Sequence, residues 1–369
     1  MDWYDKYILI LGLGATGLSC ARWLARQDAR LTVADSRPMP PNAEALAREL
    51  PRVPLITGKF GAELLRGMDV VVRSPGVSSL EPVVVAAQRE RIPVVGDVEL
   101  FALAVSELEA DSARFGLGRP KVLAVTGTNG KSTATSMAGA MCREAGLSTV
   151  IAGNIGLPVL DALIDLEDRN ALTQVEVFVL ELSSFQLETT WSLDADAATV
   201  LNVSEDHLDR YVSVQAYGRA KSRIFQGNGV QVLNRQDPVS LAMTLAERRV
   251  LTFGADQPAT GNDWGILDWA GERWLAQGRR NLLSFRELPL AGLPNALNAL
   301  AALALCRALG LSYAPLLEAL KSFKGLPHRV QKVAMVGGVT FYDDSKGTNV
   351  GASVAAIKGF ARPVVLIAG

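Results

Sequence analysis

The chain has few cysteines and no excess of charge of either sign. Its three cysteines, Cys20, Cys142 and Cys306, are odd in number and lack the spacing of metal ligands. This pattern predicts buried thiols in a reducing cytosol rather than a disulfide framework. Lysine and arginine together number 37, against 38 aspartates and glutamates. The charge balance therefore gives no indication of a nucleic-acid partner or of an anionic membrane surface.

Targeting signals and long apolar runs are also missing. The first residues, Met-Asp-Trp-Tyr-Asp, lack the basic start of a signal peptide. The most apolar stretch, residues 296–309, is shorter than a membrane span and carries Asn298 and Arg307. No internal repeat or low-complexity tract is visible in the 369 residues. These features predict a soluble cytoplasmic α/β protein of two or three domains.

The most informative segment is residues 121–133, Lys-Val-Leu-Ala-Val-Thr-Gly-Thr-Asn-Gly-Lys-Ser-Thr. An apolar strand runs into a glycine turn, and the residues that follow favour a helix. In such a unit the backbone N–H groups and the helix N-terminus bind a polyphosphate. Lys131 is placed to reach the outer phosphates and Ser132 to hold Mg²⁺. The loop departs from the standard P-loop, because two residues separate its glycines where the standard pattern has four.

A second glycine-rich turn lies near the start of the chain. The predicted strand Tyr7–Leu11 runs into Gly12-Leu13-Gly14-Ala15-Thr16-Gly17, and the next strand is followed by Asp35. Taken alone, this pattern predicts a Rossmann unit that binds a dinucleotide. Further predicted strands complete a small doubly wound domain over residues 1–103.

Polar residues follow four predicted strands of a central domain, residues 104–325, of which 104–120 are predicted to be a linker. These strands end at the phosphate loop and at Asn154, Glu181 and Asn202. Because parallel strands end at one edge of a sheet, we expect these residues to converge there. His207 follows the last of them. Glu181 and His207 are candidate metal or phosphate ligands, although each alone is also explained as a core carboxylate or a surface loop residue.

The last part of the chain, residues 326–369, predicts the beginning of a third domain. Its expected elements are a strand over 339–342, a helix to about residue 360 and a strand over 364–367. Such a segment is too short to bury a core alone, so the third domain looks incomplete. Before it, an alanine-rich helix is predicted from Asn295, as its N-cap, to Gly310.

Nine separated blocks of the sequence resemble the Mur ligase superfamily, which includes cell-wall precursor ligases and folylpolyglutamate synthetases. The phosphate loop carries the likeness to the superfamily, and other blocks resemble its D-glutamate-adding branch. The resemblance implies a Rossmann-like N-terminal domain, a central P-loop-type α/β ATPase domain and a Rossmann-like third domain. The blocks are Gly12–Cys20, Ser74–Val77, Gly96–Phe101, Gly127–Thr133, Gly153–Pro158, Glu181–Glu188, Asn202–Tyr211, Gly325–Arg329 and Asp344–Asn349.

The activity that this resemblance implies is ATP-dependent ligation of D-glutamate to UDP-N-acetylmuramoyl-L-alanine through an acyl phosphate. The expected setting is peptidoglycan precursor synthesis in the cytoplasm, by a monomer that uses ATP and two Mg²⁺ sites. No nucleic-acid or membrane partner is expected. The third domain of the family continues past Gly369. We therefore expect this chain to bind the UDP-substrate and ATP without completing ligation.

The resemblance also implies roles for individual residues, whereas from the sequence alone Lys221 is an ordinary helix-surface lysine. The implied catalytic residues are Lys131, Glu181, His207 and Lys221, and the implied metal ligands are Ser132, Glu181, His207 and Lys221 as a carbamate formed with CO₂. The implied ATP-binding residues are Gly127, Thr128, Asn129, Gly130, Lys131, Ser132, Thr133, Asn295, Asn298, Arg329 and Asp344. The UDP-substrate is assigned to Gly14, Ala15, Thr16, Asp35, Ser36, Arg37, Ser74, Asn154 and His207, and the amino acid to Lys346 and Thr348.

Three alternatives remain open at this point. The first is another ATP-dependent ligase of the Mur or folylpolyglutamate type. The second is a nicotinamide-dependent oxidoreductase, based on the first glycine turn and Asp35, which leaves the phosphate loop, Glu181 and His207 unexplained. The third is a chain that binds nucleotides without coupling them.

Overall fold

The computed structural model describes residues 2–114, 119–290, 292–358, 360 and 363–367. The chain divides into two compact units. The first combines residues 1–121 with 150–194, and the second combines residues 122–149 with 195–369. Within the described residues, no helix has the length and apolar character needed to cross a membrane. The domain boundaries predicted at 103 and 325 stay predictions.

Strands and helices alternate in the N-terminal part of the first unit. Strands β1–β5 form a parallel sheet in the order β3-β2-β1-β4-β5. Because β1 pairs with both β2 and β4, the glycine turn after β1 lies where the strand order reverses, which is where ligands bind in open α/β sheets. The elements are β1 (Tyr7–Leu11), α1 (Ala15–Arg26), β2 (Arg30–Asp35), α2 (Ala43–Glu49), β3 (Leu55–Thr57), β4 (Val70–Arg73), α3 (Pro82–Arg89), β5 (Val94–Val95) and α4 (Asp97–Arg114).

Helix α4 overturns part of the predicted linker over residues 104–120. It continues to Arg114, and residues 115–118 lie outside the described part of the chain. Val98, Phe101 and Val105 recur at helical spacing and are buried. The ring of Phe101 packs edge to face against Phe178, with centroids 5.1 Å apart. Burial of this apolar stripe holds the helix together beyond the point where the composition becomes polar.

The middle of the chain supplies most of the remaining strands and helices. Its elements are β6 (Lys121–Thr126), α5 (Lys131–Glu144), β7 (Thr149–Gly153), α6 (Val159–Asp168), β8 (Val177–Glu181), α7 (Ser184–Leu187), β9 (Ala197–Val200), α8 (Val214–Ser222), β10 (Val230–Asn234), α9 (Pro238–Leu241), β11 (Val250–Phe253), β12 (Asp263–Trp269), β13 (Glu272–Gln277), β14 (Arg280–Ser284), α10 (Leu293–Ala308) and α11 (Tyr313–Ser322).

The sheet of the second unit follows the order β14-β13-β12-β11-β10-β9-β6. Strands β6, β9, β10, β11 and β12 pair in parallel. The turn at Ala270 and Gly271 suits a hairpin, and the strands on either side of it, β12 and β13, pair antiparallel. Strand β14 extends this hairpin with a further antiparallel pair. The parallel part carries the phosphate loop at the end of β6.

Helix α10 begins earlier than predicted. Its N-cap is Gly292 rather than Asn295, and Pro294 lies in the first turn, where its fixed φ suits a helix and its missing N–H costs nothing. Asn295 is therefore inside the first turn. The predicted end before Gly310 is confirmed, since Gly310 takes the left-handed conformation typical of a helix end, with φ at 85°.

The C-terminal part contains a hairpin and a helix, namely β15 (Gln331–Val336), β16 (Val339–Asp343) and α12 (Val350–Lys358). Strand β15 was not predicted from the sequence. It pairs antiparallel with β16. Both residues of the connecting turn, Gly337 and Gly338, have positive φ, as a tight hairpin requires. The strand predicted over 364–367 is wrong: these side chains are exposed, and no strand pairs with them within the described residues.

The buried carboxyl group of Asp97 makes the stability of the first unit dependent on pH. One oxygen accepts a 2.8 Å hydrogen bond from Gln186 Nε2, and burial raises the pKa of Asp97 from 3.8 to about 6. The folded state therefore binds this proton more tightly than the unfolded chain. Its contribution to folding is fully present below pH 3.8 and is lost as the pH rises through about 6.

We predict that Asp97→Asn stabilises the protein increasingly as the pH rises. The amide keeps an acceptor for Gln186 and removes the cost of burying a negative charge. The unfolding free energy of the variant minus that of the wild type should grow by roughly 1–3 kcal/mol between pH 4 and pH 7, as measured by urea denaturation. Exposed Asp28→Asn is the control. A difference that does not change with pH would contradict the prediction.

Candidate functional site

The phosphate loop of the second unit joins β6 to α5 and contains two glycines with positive φ. Gly127 has φ at 155° and Gly130 has φ at 83°, conformations that favour glycine. Gly130 is the N-cap of α5 and no side chain caps this helix end. The first N–H groups of α5 are therefore directed into the loop, where an anion can accept from them. The shortened loop keeps the geometry of an anion site.

Asn202, the residue predicted at the end of β9, holds this loop through three hydrogen bonds. Its Oδ1 accepts from Asn129 N at 2.9 Å, and its Nδ2 donates to Asn129 O at 3.0 Å. Its backbone carbonyl accepts from Thr128 N at 2.9 Å. The predicted convergence of the ends of β6 and β9 is confirmed. No role was predicted for Asn202 from the sequence, although its position just after a parallel strand could have marked it as a site residue.

Two lysine amines meet at one backbone carbonyl of the loop. Lys131 Nζ donates to Gly127 O at 3.0 Å and to Thr128 O at 2.8 Å, and Lys221 Nζ donates to the same Gly127 O at 2.9 Å. Lys221 is only 1% exposed, so its interpretation as a surface lysine is wrong. Two amine donors at one carbonyl place positive charge beside the loop, which favours an anion bound at this point.

Tyr217 lies beneath the amine of Lys221. The Nζ atom is 4.3 Å from the ring centroid, and the two residues are four positions apart on α8. Burial raises the pKa of Tyr217 to about 12. The sequence analysis missed Tyr217, although its spacing from Lys221 places both on one helix face.

His207 contacts the same tyrosine from the loop after β9. Its ring packs edge to face on the ring of Tyr217, with the two ring centroids 6.0 Å apart. Its Nε2 is 3.9 Å from Asp206 Oδ2. The residue has positive φ, 53°, and its side chain is 43% exposed. His207 and Lys221 therefore both contact Tyr217. The roles of His207 in metal and substrate binding stay predictions.

The predicted ATP-binding residues outside the loop lie at several points around it. Ser132 Oγ accepts a 2.8 Å hydrogen bond from Arg329 Nη2. Asn298 is buried against Gly130: a Cβ at that glycine would lie 2.3 Å from Asn298 Oδ1. Asp344 Oδ1 accepts from the backbone N–H of Val330, next to Arg329, at 3.1 Å, and burial raises the pKa of Asp344.

Asn349 contacts the phosphate loop, and the sequence analysis gave it no role. Its Nδ2 donates to Asn129 Oδ1 at 3.1 Å and to Asp206 Oδ2 at 3.3 Å, and its Oδ1 accepts from Asn129 Nδ2 at 3.3 Å. It ends the block that also contains Lys346 and Thr348, whose side chains are exposed. Its position in the same sequence block as Lys346 and Thr348 could have marked Asn349 as a site residue.

The glycine turn of the first unit is closely packed on one side and open on the other. A Cβ at Gly17 would lie 1.9 Å from Gly12 O, so only glycine allows α1 to approach the turn this closely. A Cβ at Gly14 would meet nothing within 4 Å, and Gly14 is the N-cap of α1 without a capping side chain. The open side therefore presents the first N–H groups of α1, near Ala15 and Thr16, to an anion.

Asp35 uses both carboxylate oxygens to hold this turn and the segment after β2. Oδ2 accepts from Leu13 N at 2.7 Å and from Arg37 Nη2 at 2.6 Å, and Oδ1 accepts from Arg37 N at 2.9 Å and Nε at 2.8 Å. Arg37 is the main reason why the pKa of Asp35 is lowered to about 2. Ser74 Oγ donates to Gly12 O at 2.9 Å, while Ser36 is exposed.

Glu181 and Asn154 meet at the ends of β8 and β7, as predicted. Asn154 Nδ2 donates to Glu181 Oε1 at 2.9 Å, and Asn154 N donates to Glu181 O at 2.8 Å. Glu181 is 2% exposed, and its buried Oε2 has no hydrogen-bond partner among the described residues. A buried carboxylate oxygen without a donor is costly unless a cation binds it, so Glu181 fits the role of a metal ligand.

Conventional metal-binding clusters are not found in the described part of the chain. No group of three His, Cys, Asp or Glu side chains there is arranged to hold an ion. Mg²⁺ often rests on one or two carboxylates together with substrate phosphates and water. The residues present therefore fit Mg²⁺ that binds with a nucleotide better than a metal in an all-protein site.

We predict that Asp35→Asn loosens the first glycine turn. The variant loses charge-assisted hydrogen bonds from Leu13 and Arg37, which should lower the unfolding free energy by about 1–3 kcal/mol at pH 7. Because the folded-state pKa is lowered from 3.8 to about 2, this advantage of the wild type is present above pH 3.8 and is lost as the pH falls through 2. Urea denaturation from pH 7 to pH 2 measures both effects, and equal stability at pH 7 would refute the prediction.

Two family descriptions match the chain. "Mur ligase MurD-like, N-terminal domain" matches residues 6–96, and "Mur ligase middle domain" matches residues 125–306. UDP-N-acetylmuramoylalanine–D-glutamate ligase from Methylobacillus flagellatus is 55% identical over 99% of this chain and 76% of its own length. The enzyme of the same description from Nitrosospira multiformis is 53% identical over 100% of this chain and 76% of its own length.

Solved structures share the fold at lower identity. The UDP-N-acetylmuramate:L-alanyl-γ-D-glutamyl-meso-diaminopimelate ligase from Neisseria meningitides superposes with a TM-score of 0.57 at 20% identity, covering 87% of this chain and 99% of that one. UDP-N-acetylmuramate–alanine ligase from Thermotoga maritima gives 0.52 at 22% identity, covering 92% and 74%. At these identities the likeness concerns the fold alone.

Proposed function

The chain belongs to the family of UDP-N-acetylmuramoylalanine–D-glutamate ligases, and we propose that residues 127–133 hold the ATP that activates the alanine carboxylate. The reaction is ATP- and Mg²⁺-dependent formation of a carbon–nitrogen bond in peptidoglycan synthesis. Its substrates are UDP-N-acetylmuramoyl-L-alanine, ATP and D-glutamate. Membership of this family removes the nicotinamide-dependent oxidoreductase and the other ligase types as alternatives. The observation that carries the residue-level proposal is the meeting of Lys131 and Lys221 at Gly127 O.

The chemistry explains why the loop needs these cations. Amide formation from a carboxylate is uphill in water, so the γ-phosphoryl group of ATP first moves to the carboxylate and forms an acyl phosphate. The amine of D-glutamate then attacks the acyl carbon and phosphate leaves. Since the first step brings two anions together, cations must be aimed at the transferred group. Lys131, now hydrogen-bonded to two loop carbonyls, is placed to turn these donors toward the outer phosphates.

Lys221 is proposed to act as a carbamate. The neutral amine adds to CO₂ and releases one proton, which gives a carbamate anion with two oxygens of the kind that divalent cations prefer as ligands. Burial of the amine and the nearby charge of Lys131 support this proposal, because both oppose a second ammonium at this position. Ser132 and His207 are proposed as further metal ligands of the second unit. Bound Mg²⁺ would neutralise the negative charge of the phosphates.

Glu181 is proposed as the metal ligand of the first unit. Its unpartnered, buried Oε2 supports this assignment. Its other oxygen is held by Asn154, so the carboxylate is kept in one orientation. Asn154, together with His207, is also proposed to contact the sugar-peptide end of the substrate.

The first glycine turn is proposed to bind the UDP group. The open side of Gly14 and the start of α1, at Ala15 and Thr16, would take the pyrophosphate. The segment Asp35–Arg37 and Ser74 would line the uridine pocket. Because both oxygens of Asp35 are occupied by Leu13 and Arg37, Asp35 shapes this pocket mainly through these neighbours.

The remaining assignments concern the nucleotide and the amino acid. Asn295, Asn298, Arg329 and Asp344 are proposed to hold ATP, supported by the contacts of Asn298 with Gly130 and of Arg329 with Ser132. The exposed Lys346 and Thr348 are proposed to face D-glutamate. We also propose a cytoplasmic monomer as the working form.

We predict that, in any active form of the protein, Lys131→Ala lowers phosphoryl transfer by at least about a hundredfold while UDP-substrate affinity changes less than about twofold. The amine lies in the phosphate loop, whereas the proposed UDP residues lie in the first unit. Phosphate release with UDP-N-acetylmuramoyl-L-alanine, with and without D-glutamate, measures the first effect, and calorimetric titration of the UDP-substrate measures the second. Lys59→Ala on the surface is the control. An equally steep loss of UDP-substrate affinity would contradict the two-site assignment.

We predict that activity of Lys221→Ala is partly restored by short carboxylic acids. Acetate or formate in the space left by the side chain would replace the two oxygens of the carbamate. The rescue should saturate with acid concentration and should be absent in Lys131→Ala, which loses a cation instead. Undiminished activity of Lys221→Ala without acid, together with a lack of rescue by any short acid, would exclude the carbamate.

A further inference from the structure

Arg73 is a large, fully buried, charged side chain of the first unit, and it has no part in the proposed chemistry. Arg73, at the end of β4, has a side chain that is 1% exposed, and its Nη2 donates to Glu188 Oε2 at 2.8 Å. The two residues are 115 positions apart. A buried ion pair of this kind is no strong source of stability, because both charges lose their hydration. Its position in the fold therefore calls for a functional explanation.

The second contact of Arg73 reaches the turn that supports the glycine loop. Arg73 Nη1 donates to Val77 O at 2.7 Å, and Val77 N donates to Ser74 O at 3.0 Å, closing a turn. This turn packs on Gly12: a Cβ at that glycine would lie 3.1 Å from both Ser74 Cβ and Val77 Cγ2. Ser74 Oγ also donates to Gly12 O. The guanidinium thus holds the turn against the back of the glycine loop.

Glu188 fixes the other end of this arrangement. It is the C-cap of α7, seven positions after Glu181, and its side chain is 15% exposed. The carboxylate therefore orients the guanidinium from the segment that follows β8.

We propose that Glu188 and Arg73 are positioning residues for UDP binding, acting through the turn of residues 74–77 on the glycine loop. Neither side chain needs to touch the ligand. The inference rests on the proposed assignment of the first glycine turn to the UDP group. It makes UDP affinity depend on a carboxylate that lies outside the pocket.

The same structure supplies a matched control. Glu99 on α4 also holds the segment after β8, accepting from Trp191 N at 2.6 Å, Ser192 N at 2.9 Å and Ser192 Oγ at 2.6 Å. It is 5% exposed. Within the described residues, no hydrogen bond joins Glu99 to the turn of residues 74–77. Glu99→Gln therefore tests the loss of a buried carboxylate in the same region while the hydrogen bond of Arg73 to Val77 O is kept.

The test compares Glu188→Gln with Glu99→Gln by calorimetric titration with UDP and by steady-state kinetics. For Glu188→Gln we expect the Kd for UDP and the KM for the UDP-substrate to rise about three- to tenfold, with kcat and the KM for ATP within about twofold of wild type. For Glu99→Gln we expect UDP affinity within about twofold of wild type, whatever its melting temperature. Unchanged UDP affinity in Glu188→Gln, or an equal loss in both variants, would overturn the proposal.

A double variant covers the case in which Glu188→Gln does not fold. Arg73→Met with Glu188→Leu replaces the pair by apolar side chains of similar size, which proteins often accept. This variant should fold and still bind UDP about three- to tenfold more weakly, because the hydrogen bond to Val77 O is missing. Affinity equal to that of the wild type would refute the proposal. Failure of the wild type itself to bind UDP would instead refute the assignment of the first glycine turn.

Discussion

The carbonyl oxygen of Gly127 accepts hydrogen bonds from two lysines, and the second unit is arranged around this concentration of positive charge. Lys131 reaches it from the start of α5 and Lys221 from the end of α8. Positive charge at one point of a loop favours an anion there. The triphosphate of ATP is the anion that we propose for this loop, and the proposed carbamate would change the charge of Lys221.

The surroundings of this carbonyl explain why the loop works although it is two residues shorter than the usual P-loop. The side chain of Asn202 accepts a hydrogen bond from the backbone N–H of Asn129 and donates one to its backbone carbonyl. The residue that follows the neighbouring strand β9 therefore fixes the conformation of the short loop. Asn349 adds an amide pair to Asn129. A short loop braced by side chains keeps the N–H groups of the helix end available for phosphate.

The first unit uses buried carboxylates for a different purpose. Asp35 closes the glycine loop, and Glu188 orients Arg73 behind it. Asp97 and Glu99 join α4 to the segment after β8. Glu181 and Asp97 each have one buried oxygen without a hydrogen-bond partner within the described residues. An unmet acceptor in a buried environment is expensive. Burial raises the pKa of Asp97 to about 6, which eases its protonation, whereas Glu181 lies at the end of β8, where we propose that a cation binds it.

Much of the fold was readable in the sequence because its signals are local. Apolar runs that end in glycine placed β1 and β6, and glycine spacing marked both turns that we propose to bind ligands. The errors occurred where distant contacts decide. Helix α4 continues through polar residues because Phe101 packs on Phe178. Residues 364–367 form no strand, because a strand needs a partner and β-propensity alone does not provide one.

For the site, the sequence by itself determined which residue types lie at the ends of the strands, and the loop motif determined the kind of ligand. It did not determine that Lys221 is buried, that the ring of Tyr217 lies beneath its amine, or that Asn349 meets Asn129. Burial depends on the packed chain, and the contact of Asn349 with Asn129 joins segments 220 positions apart. Only the tertiary structure decided which charges face each other. The reason is that burial, and with it the cost of an unpaired charge, is a property of the packed chain and not of the local sequence.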